Sequence, residues 1–256
     1  MTVGLNWLPQ VAFAFMLIFA RVGTILMFIP GLGEQAIPVQ MRLTFALALV
    51  LVLLPLLSPS LPALPQDFGA LGLLLLHEIA VGLILGGISR FIVMATEVAG
   101  AIIAFQTGLS IAQGADPSQT GVQGAVIGNF LSMLGVTLIF ATDLHHLALS
   151  AIVSSYKMMS PTDPLMVSDA LQMAIKVMAE GFLVGVQMAA PFIVMGLVFN
   201  VGLGILSRLM PALQVYFLSM PANIFAGLIL FAFLLTVMMG WYLTHVQAEL
   251  SFIGGG

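Results

Sequence analysis

Charged residues are scarce in this sequence, and cysteine is absent. Only 6% of its 256 residues are Asp, Glu, Lys or Arg, while 61% are hydrophobic. A soluble domain carries roughly a quarter charged residues. Six Lys and Arg residues are too few to form a basic surface for nucleic acid. The lack of cysteine excludes disulfide bonds and thiolate metal sites. The composition therefore predicts a polytopic membrane protein.

Apolar segments long enough to cross a bilayer follow one another along the chain. A transmembrane helix needs about 20 apolar residues. We therefore predict an all-α integral membrane protein with a single polytopic domain, 1–256, and apolar segments at about 5–29, 37–57, 68–105, 122–156, 167–206 and 211–248. Pro191 predicts a kink in the fifth segment. Pro211 and Pro221 predict a break at the start of the sixth, with a last helix over about 222–245 and an irregular tail.

The third apolar segment, from Phe68 to Phe105, is too long for a single crossing. As one helix it would extend over about 55 Å, at about 1.5 Å per residue. Two structures fit this length: a tight hairpin near Gly86 and Gly87, or one helix that continues well beyond the bilayer. Hydrophobic periodicity does not distinguish between them.

A polar segment interrupts the hydrophobic pattern between Phe105 and Ala125. It contains four glutamines and four glycines, one charged residue, Asp116, and no lysine or arginine. A non-helical backbone of this kind cannot face lipid, because its N–H and C=O groups would have no hydrogen-bond partners there. The segment is therefore expected either to emerge into water or to lie inside a cavity lined by protein.

Ionisable residues within the apolar segments need partners, since a charge in a membrane interior is costly when it is alone. The candidates are Arg21, Glu78, Arg90 and Glu97. Arg90 and Glu97 are seven residues apart, which places them on one helical face but two turns distant. Each is therefore expected to meet a group on another segment or subunit. Two interpretations remain, proton coupling and assembly through ion pairs between helices, and we favour the second.

Small residues at four-residue spacing also indicate close helix packing. Gly82–Gly86, Gly124–Gly128 and Gly181–Gly185 each form a GxxxG pair within an apolar segment. This spacing lets two helix backbones approach closely. Three such pairs predict tight helix contacts without identifying the partner helices.

Motifs for catalysis are incomplete in this sequence. His77-Glu78 begins like a zinc protease motif, but Val81 stands where the second histidine is needed. The stretch from Gly108 to Ala112 resembles a nucleophile elbow, yet it ends in alanine instead of glycine. No phosphate-binding glycine loop followed by Lys-Ser or Lys-Thr is present. We therefore expect no enzymatic activity.

Asp143, His145 and His146 form the densest titratable cluster in the sequence. Such residue types suit a metal site or a proton relay within a membrane. The interpretation favoured from sequence is simpler, namely that they mark the end of a helix at the membrane interface. On this basis no metal and no cofactor are expected.

Two stretches carry a more specific signal than composition. The first runs from Ala20-Arg21-Val22-Gly23 through Ile29-Pro30-Gly31-Leu32-Gly33 to Ile37-Pro38-Val39-Gln40-Met41-Arg42, and the second is Ser207-Arg208-Leu209-Met210-Pro211-Ala212-Leu213-Gln214-Val215-Tyr216-Phe217 with Met220-Pro221-Ala222-Asn223. Together with the central polar segment, they closely resemble the FliR family of flagellar export proteins. A related component occurs in virulence type III secretion systems. The similarity covers essentially the whole chain.

This resemblance implies an assembly and a role. FliR-like proteins join FliP-like and FliQ-like subunits in a helical export gate, with which an FlhB-like subunit associates. The gate lies in the bacterial inner membrane, in the flagellar basal body, and passes unfolded flagellar subunits. The resemblance further implies long kinked helices and helical hairpins packed into a hetero-oligomer. Separately from the resemblance, no nucleic acid, metal or cofactor is expected as a partner.

The resemblance also assigns roles to particular residues. The family's central loop plugs the closed channel, which here implies a plug built from Phe105, Gln106, Gly108, Leu109, Ser110, Ile111, Ala112, Gln113, Gly114 and Asp116. Arg208 lies between two uncharged runs, where the long apolar segment turns. We expect subunit contacts or buried charges at Arg21, Glu78, Arg90, Glu97, Arg208, Pro211 and Pro221.

Two other kinds of protein remain open at this point. A stand-alone secondary transporter or channel could use the central polar segment as a broken-helix substrate site. Such a protein would be active alone in liposomes, whereas a gate subunit would not. The homologous subunit of a virulence secretion system is the second alternative. A membrane enzyme is disfavoured by the incomplete motifs.

Overall fold

A computed structural model describes residues 8–33, 37–110, 125–210 and 215–254. Its long elements are seven α-helices in chain order, with a short 3-10 turn after the second: α1 (Leu8–Phe28), α2 (Val39–Leu57), α3 (Phe68–Gln106), α4 (Ala125–Ala141), α5 (Leu144–Met158), α6 (Val167–Leu209) and α7 (Val215–Gly254). Within the described ranges, five helices are long and apolar enough to cross a membrane, or up to six if a bent pair is one span. The prediction of an all-α membrane protein is confirmed.

The third apolar segment is one helix and not a hairpin. Helix α3 contains 39 residues, so it extends over about 58 Å at about 1.5 Å per residue. Gly86 serves packing here and makes no turn, since a Cβ atom at this position would lie 2.9 Å from Cβ of Phe28 on α1. The helix is roughly twice as long as the hydrocarbon core of a bilayer is thick.

The predicted apolar segment at 122–156 is divided into two helices. Helices α4 and α5 meet at an angle of 79°. Asp143 lies at the bend with φ of 58°, in the left-handed region. Aspartate and asparagine enter this region more readily than other residues with a Cβ atom. Asp143 therefore ends one helix and begins the next.

The predicted break at Pro221 is wrong, and so is the predicted irregular tail as far as Gly254, where the described residues end. Helix α7 begins at Val215, continues through Pro221 and extends to Gly254. Long membrane helices tolerate proline because neighbouring groups can satisfy the backbone oxygen that proline leaves free. At the far end, the amine of Lys176 lies 4.8 Å from the ring centre of Phe252, and this cation–π contact holds the last turn.

Helix α6 also continues through a proline, Pro191. The kink predicted there stays a prediction. Pro211 lies outside the described residues.

The described residues divide into two compact units. The first comprises those within Met1–Ile92, Phe140–Met178 and Gln247–Gly256, and the second those within Val93–Ile139 and Ala179–Val246. The long helices α3, α6 and α7 contribute residues to both units. The prediction of a single domain is not tested by this division.

The first unit is built around α1, α2 and α5. Its buried apolar cluster contains Ile18, Val22, Ile25, Leu26, Ile29, Ala46, Val50, Leu53, Leu57, Ile152 and Tyr156. Lipid tails are as apolar as these side chains, so exclusion from water does not hold such helices together within a membrane. Close packing and the polar contacts described below take that role.

The second unit is packed around small residues. Ala95 and Ala99 on α3 are fully buried, and Gly100 on α3 lies directly against the backbone of Gly128 on α4. A Cβ atom at Gly185 of α6 would lie 2.8 Å from the main-chain oxygen of Ala95. Two of the predicted GxxxG pairs therefore contribute glycines to contacts within this unit, and the third, Gly82–Gly86, contacts α1 in the first unit.

Candidate functional site

Arg21 on α1 and Glu78 on α3 form a buried ion pair in the first unit. Nε of Arg21 donates to Oε2 of Glu78 at 2.8 Å, and Nη2 donates to Oε1 at 2.7 Å. Both side chains are completely buried. This two-point geometry is the strong form of an arginine–carboxylate contact. Two charges predicted to need partners are thus placed together.

The same guanidinium group also caps the end of α5. Nη1 of Arg21 donates to the main-chain oxygen of Ser155 at 3.1 Å, and Nη2 donates to that of Met159 at 2.8 Å. The ring of Tyr156 lies 4.0 Å from the guanidinium carbon. The oxygen of Ser155 also accepts from the N–H of Met159 at 2.9 Å, and the carbonyl groups at the end of a helix attract a cation. One arginine therefore joins α1, α3 and α5.

The helix contact beside this pair depends on glycine. Gly82 lies one turn after Glu78 on α3. A Cβ atom at Gly82 would lie 2.9 Å from the main-chain oxygen of Arg21 and 2.8 Å from Cβ of Thr24. The absence of a side chain lets α1 and α3 approach closely enough for the ion pair to form.

In the second unit, the start of the central polar segment is anchored by Asn223. Helix α3 ends at Gln106, and Nδ2 of Asn223 on α7 donates to the main-chain oxygen of Gln106 at 3.1 Å. Gly108 has φ of +76°, a conformation that glycine adopts at little cost. The chain therefore leaves α3 through a defined turn.

At this turn, the side chains of Gln106 and Thr107 each pack against a glycine of another helix. The amide of Gln106 lies against Gly196 on α6, and the side chain of Thr107 lies against Gly227 on α7. Both contacts are too close to admit a Cβ atom on the glycine. The end of α3 is thus held by both helices as well as by Asn223.

A cavity of about 140 Å³ lies beside the turn. It is lined by Phe105, Gln106, Gly108, Phe199, Asn200, Leu203, Ser219, Met220 and Asn223. Oδ1 of Asn223 is buried there and has no hydrogen-bond partner. The lining is uncharged and combines amide groups with aromatic and aliphatic surface. Such a wall can contact varied polypeptide segments without holding any of them by charge.

The predicted plug residues are only partly within the described residues. Phe105 is exposed, Gly108 is buried, and Gln106, Leu109 and Ser110 are half-buried. The remainder of that set lies outside the described residues: Ile111, Ala112, Gln113, Gly114 and Asp116.

The other predicted contact residues differ in how far they are buried. Arg90 is half-buried, while Glu97, Arg208 and Pro221 are exposed. The main chain of Glu97 contacts Gly128 on α4, since a Cβ atom there would lie 3.6 Å from the oxygen of Glu97. The exposed side chains of Glu97, Arg208 and Pro221 are accessible to lipid, water or another subunit.

Comparison with known proteins assigns the family. The sequence profile described as "Bacterial export proteins, family 1" matches residues 12–248. The chain belongs to this family. The family predicted from sequence is confirmed by this match and by the individual relatives.

Relatives of this bacterial export protein include flagellar and virulence proteins. The chain is 45% identical to the flagellar biosynthetic protein FliR of Caulobacter vibrioides over 226 residues, 88% of this chain and 90% of that protein. It is 31% identical to FliR of Bacillus subtilis, over 85% of this chain and 84% of the relative. The Yop proteins translocation protein T of Yersinia pestis is 27% identical over 75% of this chain and 74% of the relative.

Sequence reasoning missed three residues at the turn of this export protein. Asn223 follows a proline in an apolar run, and an amide in such a place indicates a backbone partner on another segment. Gly196 and Gly227 belong to no paired motif. Isolated glycines in an apolar helix can mark a position where another group approaches closely, but the spacing alone does not identify that group.

Proposed function

We propose that the chain is the FliR-type subunit of a flagellar type III export gate in the bacterial inner membrane, at the basal body. One observation carries this proposal: the chain is 45% identical over 88% of its length to a flagellar biosynthetic protein FliR. In the proposed assembly it packs against FliP-like and FliQ-like subunits, and an FlhB-like subunit associates with them. The complex passes unfolded flagellar proteins across the membrane.

The lengths and surfaces of the helices support a place within an assembly. Helices α3, α6 and α7 contain 39, 43 and 40 residues, about twice the number that crosses a bilayer. Large apolar side chains remain exposed along α6 and α7, including Leu197 at 65%, Val198 at 67%, Phe225 at 68% and Phe233 at 80%. Helices of this length cannot bury all of their apolar surface in lipid unless they are strongly tilted. Neighbouring subunits would cover the apolar surface that extends beyond the lipid.

The central polar segment is the proposed plug of the closed channel. It begins at the anchored turn of Gln106 and Gly108, beside the uncharged cavity. Its glutamines carry hydrogen-bonding amide groups without charge, and glycine adopts many backbone conformations at little steric cost. The exposed ring of Phe105 adds apolar surface that can close against a neighbour and exclude water, as hydrophobic constrictions do in channels. An arriving unfolded chain would displace this plug.

Co-purification tests the assembly. The tagged chain, extracted in mild detergent from its own membranes, is expected in a discrete complex with the FliP-like and FliQ-like subunits. When it is expressed alone, degradation or aggregation is expected. A monodisperse, stable monomer that transports a solute in liposomes would instead identify a stand-alone transporter.

Deletion of Ser110 to Gln119 tests the plug. The deleted protein is expected to assemble normally and to make the membrane permeable to small ions. The intact complex is the control. If the deleted and intact complexes have equal ion conductance, the segment is a connector and not a plug.

The similarity to the Yersinia pestis protein favours one second candidate, the equivalent subunit of a virulence secretion system. Complementation distinguishes the two. The chain should restore motility to a flagellated strain that lacks its own FliR, and should not restore effector secretion to a strain that lacks the virulence subunit. The reverse result would establish the second candidate.

A further inference from the structure

The bend between α4 and α5 brings three potential metal ligands together. Asp143 lies at the bend, and His145 and His146 lie in the first turn of α5. One ligand atom from each side chain lies within 4.8 Å of those from the other two. From sequence we favoured a helix end at these residues, and α4 does end at Ala141, just before Asp143. The convergence of the three side chains is an additional observation that the helix end alone does not require.

None of these groups makes the contact that a simple helix end would provide. Asp143 occupies the N-cap position of α5, where a carboxylate normally accepts a hydrogen bond from the first turn, but its side chain makes no such bond. Nδ1 of His145 is buried without a hydrogen-bond partner. Nδ1 of His146 lies 3.8 Å from Oδ1 of Asp143, which is beyond hydrogen-bond distance. Asp143 and His146 are thus at ion-pair distance without a hydrogen bond between these two atoms, and Nδ1 of His145 has no hydrogen-bond partner.

His145 is held in place by ring contacts. The ring centres of His145 and His146 lie 4.1 Å apart, and that of Phe140 on α4 lies 5.2 Å from His145. His145 is half-buried against these rings, whereas Asp143 and His146 are exposed. One ligand is thus fixed, and the other two can rotate towards a common point.

We propose that Asp143, His145 and His146 bind one divalent transition metal ion of the zinc class. Two imidazole nitrogens and one carboxylate oxygen are ligands that zinc prefers, at about 2.0–2.2 Å. Neighbouring ligand atoms in such a tetrahedron are about 3.3–3.6 Å apart. Small rotations of the exposed Asp143 and His146 side chains bring the three atoms from their present spacing to this one. A fourth position stays open for water or for a group from another subunit.

The ligand set also determines which ions are excluded. Calcium and magnesium take oxygen ligands almost throughout, and a site with two imidazoles provides too few. Imidazole suits zinc, copper and nickel. Because Asp143 precedes α5 and the histidines belong to its first turn, a bound ion would fix the start of that helix. This proposal is independent of the role of the chain in export.

Metal binding can be measured on the full-length chain with the subunits that co-purify with it. The protein should carry an affinity tag without histidines and be stripped with a chelator before titration with zinc chloride in a calorimeter. The wild-type protein is expected to bind one more zinc ion per chain than the His146→Gln variant does. His146→Gln and Asp143→Asn change exposed side chains, so folding should be preserved. Each is expected to weaken zinc binding by at least about tenfold.

Two controls make the outcome decisive. His77→Gln removes a histidine outside the cluster and should leave zinc affinity unchanged, and calcium chloride should give no binding to the site. Cobalt in place of zinc should produce the visible absorption of a tetrahedral centre, and this absorption should be lost in His146→Gln. The proposal is overturned if the wild-type chain binds no zinc at micromolar concentration, or if His146→Gln and Asp143→Asn bind it as tightly as the wild type.

Discussion

Asn223 on α7 donates a hydrogen bond from Nδ2 to the main-chain oxygen of Gln106, the last residue of α3, at 3.1 Å. This contact joins two positions that are 117 residues apart in sequence. It lies where the central polar segment begins. The proposed plug therefore starts from a fixed point, and loosening that point should affect closure before it affects assembly.

Asn223→Leu should raise the resting ion conductance of the assembled complex. The substitution removes the donor and leaves the oxygen of Gln106 without this partner, at a cost of about 1–3 kcal/mol to the closed arrangement. Electrical recording on reconstituted complexes measures the effect. Asn200→Leu is the matched control, since Asn200 lines the same cavity but donates within its own helix, to Gly196. Equal conductance in the two variants would contradict a specific role for Asn223.

Removal of Arg21 should destabilise the chain strongly. Arg21→Met leaves Glu78 buried without its cation, and breaking a buried pair in this way costs about 3–5 kcal/mol. Thermal denaturation of the purified complex, or its yield, measures the loss. The double variant Arg21→Met/Glu78→Leu removes both charges and should melt between wild type and Arg21→Met. If it melts below the single variant, the unpaired charge is not what destabilises Arg21→Met.

Two glycines on α3 should respond to alanine in opposite ways. Gly82→Ala places a Cβ atom 2.8 Å from Cβ of Thr24, and overpacking of this kind costs about 1–3 kcal/mol. Gly87→Ala meets nothing within 4 Å and should be neutral or stabilising, by up to about 1 kcal/mol. Melting temperatures of the two variants in the same complex provide the measurement. Equal values would show that the close approach of α1 and α3 is not required.

Arg208→Ala should lower the yield of the assembled complex and leave its conductance unchanged. Arg208 is exposed near the end of α6, where a cation interacts favourably with free carbonyl groups and can reach another subunit. Quantification of co-purified subunits tests this, with Arg208→Lys as the variant that keeps the charge. A normal yield combined with loss of export would instead assign Arg208 to transport.

Composition and hydrophobic patterning were sufficient to predict the fold class, and the family was predicted from the resemblance of the stretches around Arg21 and Arg208. They could not choose between a hairpin and a straight helix at Gly86, because that choice depends on what packs against the glycine. The contact with Phe28 on α1 decided it. Pro221 misled the prediction because proline breaks helices in water more reliably than in a membrane. Asp143 was read correctly as a helix end, while the bend itself depends on its φ angle.

For the ionisable residues, the sequence shows which side chains need a partner but not which distant residue provides it. Sequence indicated that Arg21 and Glu78 each need a partner, because charges in apolar segments rarely stay alone. It could not pair them, since 57 residues separate the two. The carbonyl groups of Ser155 and Met159 were not identifiable at all, because every residue has a carbonyl group. Asn223 was recognisable as an unusual residue, whereas its acceptor depended on the packing of α7 against α3.

The contacts of Arg21 also impose an order on biosynthesis. Its furthest acceptor, the oxygen of Met159, follows 138 residues later in the chain. At about 5–20 residues per second, synthesis of that length takes roughly 7–30 s. Glu78 is made earlier, so for part of this time the guanidinium group has its carboxylate but not the end of α5. A nascent chain released before Leu144 carries an arginine with incomplete partners, and quality-control proteases should remove it faster than the finished protein.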